Sequence, residues 1–448
     1  MSLSGLTQYI RYPELNQGHL KYADIADILD SFKSAKYISH KLAGSSFERR
    51  SIHLFTVGNG PISVFAWSQM HGDEATATAS LIDLMSLVEE QSPLLPSGFE
   101  SKVTFHILPM LNPDGAANST RENAQSIDIN RDALAQQSPE GQLLMSLVDK
   151  LKPNIALNLH DQCAYYQCGE SGMPSTLAFL APAFDTQKSE NKSRLFAMQL
   201  IGKLIEKAEP HIEGKIAKYD DTHSARCFGD QIAGKGISTI LIESGAHQRD
   251  PNRQIARALN TKCMIEVIKQ CEHNPVLDVN DETSIERYKE LPFNQARKIC
   301  SLLIKNLNFC SNYQADVSIV QTRRHSADFV IESVGDLSVM AGLEELNANG
   351  YRYQSGTPFL LREELVLDNA SYLSLLDEGY SHFVGDEFLL INNSDYDILI
   401  NPRFFHSNRA LLLNTPAYGL LEKEGKIDFA LLNGKLVNLN KSKDPKHD

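Results

Sequence analysis

The chain has no apolar run approaching the length of a membrane span. It has no excess of basic charge either: 43 Lys and Arg stand against 56 Asp and Glu, a net charge of −13. Phosphate recognition needs a basic face, so no nucleic-acid partner is expected. Met1 to Leu20 lacks the basic patch and apolar core of a secretory leader. The seven cysteines (163, 168, 227, 263, 271, 300, 310) have no framework spacing, and Cys163 and Cys168 do not form C-x-x-C. Reduced thiols in a cytoplasmic protein are the expectation. A P-loop is missing too, because Lys235 is followed by Gly236 where Ser or Thr is required.

What is present is a chain of 448 residues, long enough for more than one domain with a large core. The stretch Gln69-Met70-His71-Gly72-Asp73-Glu74 follows the apolar run Ile62 to Trp67 and precedes a helix-like run, Ala75 to Glu89. A His and a Glu three residues apart at a strand end can turn toward one metal ion. Of fourteen histidines, His71 alone has Glu at the third following position. Catalytic zinc takes three protein ligands and leaves one position open. His160, after the short apolar run Ile155 to Leu159, is the candidate third ligand.

Strand-like and helix-like runs alternate over residues 1–272, which predicts an α/β domain with a mixed, mostly parallel sheet. Ser51 to Val57 and Ile62 to Trp67, joined by Gly58-Asn59-Gly60-Pro61, read as a hairpin leading into His71. Asn112-Pro113-Asp114-Gly115 reads as a turn. Ala116 to Ala135 has little apolar periodicity, as functional loops often do. Ser138-Pro139 reads as the cap and first residue of a helix. His71, His160 and Glu243 all follow strands, where sites form in open α/β sheets. Lys289 to Asn306 reads as a helix, followed by many short β-like runs and an Asn433-Gly434 hairpin. The expected organisation is a catalytic domain, 1–275, and a β-rich accessory domain, 276–448. The tail Lys441 to Asp448 is expected to be disordered.

The ordered set of short motifs resembles the zinc carboxypeptidase family, the carboxypeptidase A-like metallopeptidases, as a bacterial-type member with an extra C-terminal domain. Gly44 to Ile52, His71-Gly72-Asp73-Glu74, Pro109 to Gly115, Arg121, Asp128-Ile129-Asn130-Arg131, His160 and Ile242-Glu243-Ser244-Gly245 carry the resemblance over roughly 36–250. It implies one Zn²⁺ per chain on His71, Glu74 and His160. It implies Glu243 as general base and Arg121 as the oxyanion's partner. Asn130 and Arg131 would grip a substrate's terminal carboxylate, and Asp128 would orient a zinc histidine. Tyr219 is the candidate for the family's mobile tyrosine, with Tyr165 and Tyr166 as rivals. Residues 222–230 are expected to line the specificity pocket, with His223 and Arg226 as candidate contacts. One departure is Asp132, where the family often has Asn. An added negative charge beside the carboxylate clamp is the expected consequence.

The implied activity is removal of a C-terminal residue from a peptide by zinc-activated water. A zinc-dependent deacylase of N-acyl amino acids, like aspartoacylase or succinylglutamate desuccinylase, uses similar ligands. An inactive peptide-binding relative is a third reading, opposed by the intact Glu243. The expected substrate carries a free carboxylate in each enzymatic reading. The second domain would cover the site, select substrates or form an oligomer contact.

Overall fold

Apolar runs bounded by turn residues form β1 (Ile38–Ser45), β2 (Ser51–Val57), β3 (Ile62–Trp67), β4 (Val103–Leu108), β5 (Ile155–Asp161), β6 (Gln167–Cys168), β7 (Leu177–Leu180), β8 (Ile216–Lys218), β9 (Ser238–Ser244) and β10 (Asn294–Gln295). Between them lie α1 (Tyr22–Phe32), α2 (Thr76–Glu89), α3 (Pro113–Asn118), α4 (Pro139–Leu151), α5 (Lys192–Ala208), α6 (Phe228–Gly234), α7 (Gln254–His273) and α8 (Glu282–Lys289). This computed structural model describes residues 5–296, 298–310, 313–322, 328–403 and 411–440; Lys441 to Asp448 lies outside them. These elements belong to the first of two compact units, Met1–Ala296 and Arg297–Asp448.

Eight strands form one sheet in the order β1-β2-β4-β3-β5-β9-β7-β8. The central strands β4, β3, β5 and β9 are parallel; β1 and β2 pair antiparallel with their neighbours, and β7 is antiparallel to β9 and parallel to β8. Val64, Leu157 and Ile240 point to one face, which packs against α2, α5 and α7. Phe65, Trp67 and Ala156 point to the other, with Leu144 of α4 and Phe228 of α6. This is a mixed α/β sheet flanked by helices. Parallel strands covered on both faces need near-continuous apolar sequence, and β5 and β9 are buried at every position.

The expected β2–β3 hairpin does not form, because β4 lies between those strands. The glycine-rich connection has another task. A Cβ at Gly60 would overlap the Lys102 backbone, so the turn admits the start of β4. Asn112-Pro113-Asp114-Gly115 starts the short helix α3 instead of a plain turn, and Asn112 Oδ1 accepts from Gly115 N at 2.9 Å. Ser138 caps α4 as its sequence predicts, accepting from Gly141 N at 3.0 Å.

Tyr22 Oη of α1, His53 of β2 and His40 of β1 form a chain of hydrogen bonds, each 2.9 Å long. Burial, with Lys33 and His40 adding, lowers the His53 pKa from 6.5 to about 4. The unfolded chain therefore takes up this proton more readily than the folded one. Stability is expected to fall as pH drops from 6.5 to about 4, and this contribution is level below that window. Melting curves of wild type and His53→Phe across this range test the point; parallel pH dependences would rule it out.

The second unit is β-rich. Among the described residues its strands are β11 (Ile299–Cys310), β12 (Tyr313–Gln321), β13 (Phe329–Gly335), β14 (Ala341–Asn347), β15 (Arg352–Gln354), β16 (Thr357–Leu361), β17 (Leu365–Leu367), β18 (Tyr380–Gly385), β19 (Leu390–Asn392), β20 (Gly419–Lys423), β21 (Lys426–Leu432) and β22 (Lys435–Asn438), with the α-helix α9 (Asn369–Asp377). The helix read over Lys289 to Asn306 is instead the end of α8, then β10 and most of β11. Strand β11 pairs with β12 on one side and β14 on the other. Its apolar residues are shared between two faces, a pattern that a short run cannot distinguish from a helix. Asn433-Gly434 does turn β21 into β22.

Candidate active site

The carboxyl ends of β3, β5 and β9 bring the candidate residues together. His71 and Glu74 follow β3, His160 is the sixth residue of β5, and Glu243 is the sixth of β9. His160 and Glu243 are partners in the parallel β5–β9 register. Register partners on adjacent strands share a face, so these two side chains stand side by side, although 83 residues separate them in the sequence.

His71, Glu74 and His160 are 2–3% exposed. Each offers a ligand atom, and these atoms lie within 4.8 Å of one another. Glu74 Oε1 is 2.9 Å from His71 Nδ1, and Oε2 is 2.7 Å from His160 Nδ1. The Asp161 backbone N–H donates to Oε2 at 3.1 Å. Two imidazoles and a carboxylate suit a borderline ion such as Zn²⁺. His71 Nε2, on the far side of the ring, meets Asp128 Oδ1 at 3.2 Å. A carboxylate there fixes the ring's orientation and tautomer.

Protonation follows from the packing. Burial opposes ionisation of Glu74, but His71 and His160 outweigh it and hold the carboxyl well below its usual range. Burial lowers the His160 pKa against the pull of Glu74. For His71 the same burial is overcome by Glu74 and Asp128, so its pKa is raised. Metal binding requires an ionised carboxylate and neutral imidazoles; acid competes for the site chiefly at His71.

Arg121 lies over this cluster. Its Nε donates to Asp128 Oδ2 at 3.1 Å, and Nη1 is 3.2 Å from His71 Nδ1 and 3.5 Å from Glu74 Oε1. Asn130 Oδ1 accepts from the Phe228 backbone N–H at 3.0 Å, which ties it to the start of α6. Arg131 is exposed, with Nη1 3.2 Å from Cys227 Sγ. Tyr219 stands within the field of Glu243, whose charge, followed by burial, raises the phenol's pKa. Its ring makes an edge contact with Tyr166, centroids 6.3 Å apart.

The Asp132 carboxylate is engaged away from the clamp side chains. Asp132 is buried, and its carboxylate accepts from Gln137 N, Ser138 N and Ser138 Oγ at 2.7–2.8 Å. It serves the start of α4. His223 is engaged with Ala183 O at 3.1 Å and Asp230 at 3.3 Å. Arg226 Nε donates to Arg131 O at 3.0 Å, so it braces the backbone of the clamp residue.

Two supports went unread in the sequence. Asp161 accepts from Thr76 Oγ1 at 2.8 Å, joining β5 to the start of α2; its place beside His160 was the available signal. Arg253, in the left-handed region at φ 55°, donates from Nη1 to Gln162 O at 2.9 Å and Ser244 O at 2.6 Å. It clamps the ends of β5 and β9 together, and no motif marks it.

Gly72 sets how closely the metal-ligand loop approaches α3. A Cβ there would overlap the Gly115 backbone. Gly72→Ala is expected to cost about 1–3 kcal/mol, as overpacking does, and to weaken metal uptake. Denaturant melts with metal titration check both; unchanged values would show that the loop can shift at no cost.

The fold and the buried cluster define an α/β protein with a candidate mononuclear metal centre. Residues 25–172 match the zinc carboxypeptidase family model. The chain is 23% identical over 155 residues to an uncharacterized protein of Zymomonas mobilis, spanning 33% of this chain and 41% of that one. It is 26% identical over 168 residues to Carboxypeptidase SOL1 of Arabidopsis thaliana, spanning 33% and 34%. The chain thus spans less than half the length of these curated relatives. Among solved structures, a metallo-carboxypeptidase from Burkholderia cenocepacia aligns with TM-score 0.46 and 17% identity, over 57% of this chain and 70% of that one. Among the described residues no helix is long and apolar enough to cross a membrane.

Proposed function

We propose that this chain is a zinc-dependent metallocarboxypeptidase. The observation that carries the reading is the meeting of His71, Glu74 and His160 with Glu243 one strand away at the same level. When bound, zinc polarises a scissile carbonyl and lowers the pKa of water. Glu243 takes a proton from the attacking water and returns it to the leaving amine. The Arg121 guanidinium supplies fixed positive charge to the developing oxyanion. Arg131 offers a planar fork of donors for the substrate's terminal carboxylate, beside Asn130. Asp128 holds the His71 ring, and Tyr219 lines the site next to Glu243.

Metal analysis of the purified protein, with assay of amino acids released from a mixed peptide pool, tests the reading. One zinc per chain with release from peptide C-termini is expected. Zinc with release only from N-acyl amino acids would move the assignment to a deacylase. No zinc after reconstitution would end both.

A further inference from the structure

A cavity of about 320 Å³ lies within the second unit. Small-molecule sites occupy about 300–1,000 Å³ and are mostly apolar, with a few placed polar groups. Residues 399–401 form one wall of this cavity. They run beside β18: Phe383 N donates to Leu399 O and Asn401 N donates to Phe383 O, each at 2.9 Å. Tyr353 of β15 and Tyr418, just before β20, form another wall, and Tyr353 Oη donates to Tyr418 O at 3.3 Å. Leu399, Ile400, Pro402 and Pro416 make the rest of the apolar lining.

Two polar groups of the lining have no partner in the fold. Tyr418 is 9% exposed, and its phenolic oxygen makes no hydrogen bond among the described residues. Phenols buried to that degree usually find a partner. Burial first, then Asp397 and Asp328, raise its pKa, so the phenol keeps its proton at neutral pH and is a donor. Arg403 is exposed, and its guanidinium makes no ion pair among the described residues. Two other polar residues of the lining are engaged. Ser381 Oγ donates to Ser355 O at 2.6 Å, and Asn401 exchanges hydrogen bonds with the Gly385 backbone at 2.8 and 3.1 Å. The cavity therefore offers a phenol O–H and a guanidinium, both donors, among apolar walls.

We propose that this cavity binds a small monocarboxylate with an apolar body. The Arg403 guanidinium presents a planar fork of donors to the carboxylate. The Tyr418 O–H donates to an oxygen of the ligand, and the proline, leucine and isoleucine walls cover its apolar part. A neutral amide forfeits the charge-assisted bond, and acetate leaves the walls unfilled. Asp397 and Asp328 are close enough to act on the phenol, which disfavours a dianion such as phosphate. Lys435 Nζ, 3.3 Å from Asp397, offsets part of that charge, so a monoanion is tolerated. Such a group is carried by a free acid or by the end of an apolar peptide. The site belongs to the second unit alone and does not depend on the metal centre.

Calorimetric titration of the full chain with phenylacetate tests the site. The zinc-loaded Arg131→Gln variant serves as background, so that the carboxylate clamp of the first unit does not compete. One phenylacetate per chain is expected. Phenylacetamide should bind about 10-fold more weakly or worse, the usual worth of a hydrogen bond to a charged group. Acetate should be weaker by at least as much, having no apolar surface to bury. Adding Arg403→Gln should cost phenylacetate about 10-fold. That residue is exposed, so the melting curve should not change. Tyr418→Phe removes only the hydroxyl and should weaken binding several-fold. N-acetyl-glycyl-leucine and its C-terminal amide separate the two sources. Binding of this peptide acid more tightly than phenylacetate assigns the site to peptide ends, and weaker binding assigns it to free acids. Equal affinity for phenylacetate and phenylacetamide, no saturable binding of either acid, or unchanged affinity in Arg403→Gln would overturn the proposal.

Discussion

Glu243→Gln is expected to keep its zinc and lose peptide hydrolysis by about 10²–10⁴-fold, the range for a general base. Glutamine preserves shape on a strand buried throughout its length, so the pairing of β9 with β5 and the position of His160 should not change. What disappears is the group that carries the proton from water to the leaving amine. The substitution also removes the charge that does most to raise the Tyr219 pKa. Spectroscopic titration should therefore find one tyrosine ionising at lower pH than in wild type. A variant with normal turnover would take the general-base role away from Glu243. A variant without zinc would show that Glu243 supports the metal site instead.

His160→Ala should abolish stoichiometric zinc binding and with it activity. It should also weaken the metal-free protein, for a separate reason. Glu74 is held ionised in a buried setting by His71 and His160. Removing one partner leaves a buried carboxylate less compensated, a change costing on the order of 3–5 kcal/mol in comparable buried pairs. Thermal melts with and without zinc separate the two effects. Wild type should gain stability with zinc in proportion to the logarithm of its concentration above Kd, while His160→Ala should start lower and gain nothing. His71→Ala should behave alike. Normal zinc stoichiometry in either variant would strike that residue from the ligand set.

Much of the first unit is readable because its signals are local. The cap at Ser138, the strand at Val103–Leu108 and the His71-x-x-Glu74 spacing each sit within a few residues. Strand order does not. Ser51–Val57 and Ile62–Trp67 look like a hairpin until β4 comes between them, and no nearby residue announces that. The form of β11 is decided by its two neighbours in the sheet and not by its own periodicity. Asp132 shows the same limit within the site: its sequence neighbours Asn130 and Arg131 suggest a clamp, yet its carboxylate turns to the start of α4. Arg253 is not legible for a related reason, since its partners lie at strand ends far away in sequence.

The β5–β9 register has a consequence for how such a protein can change over generations. The separation between His160 and Glu243 is fixed by inter-strand hydrogen bonds and does not depend on the length of chain between them. Insertions in the connection at 219–227, which carries Tyr219 and Arg226, would leave the reacting groups where they are. One residue added inside either strand would do the opposite, turning a reacting side chain to the other face. Diversification is thus channelled into the rim, and the centre is inherited as a unit.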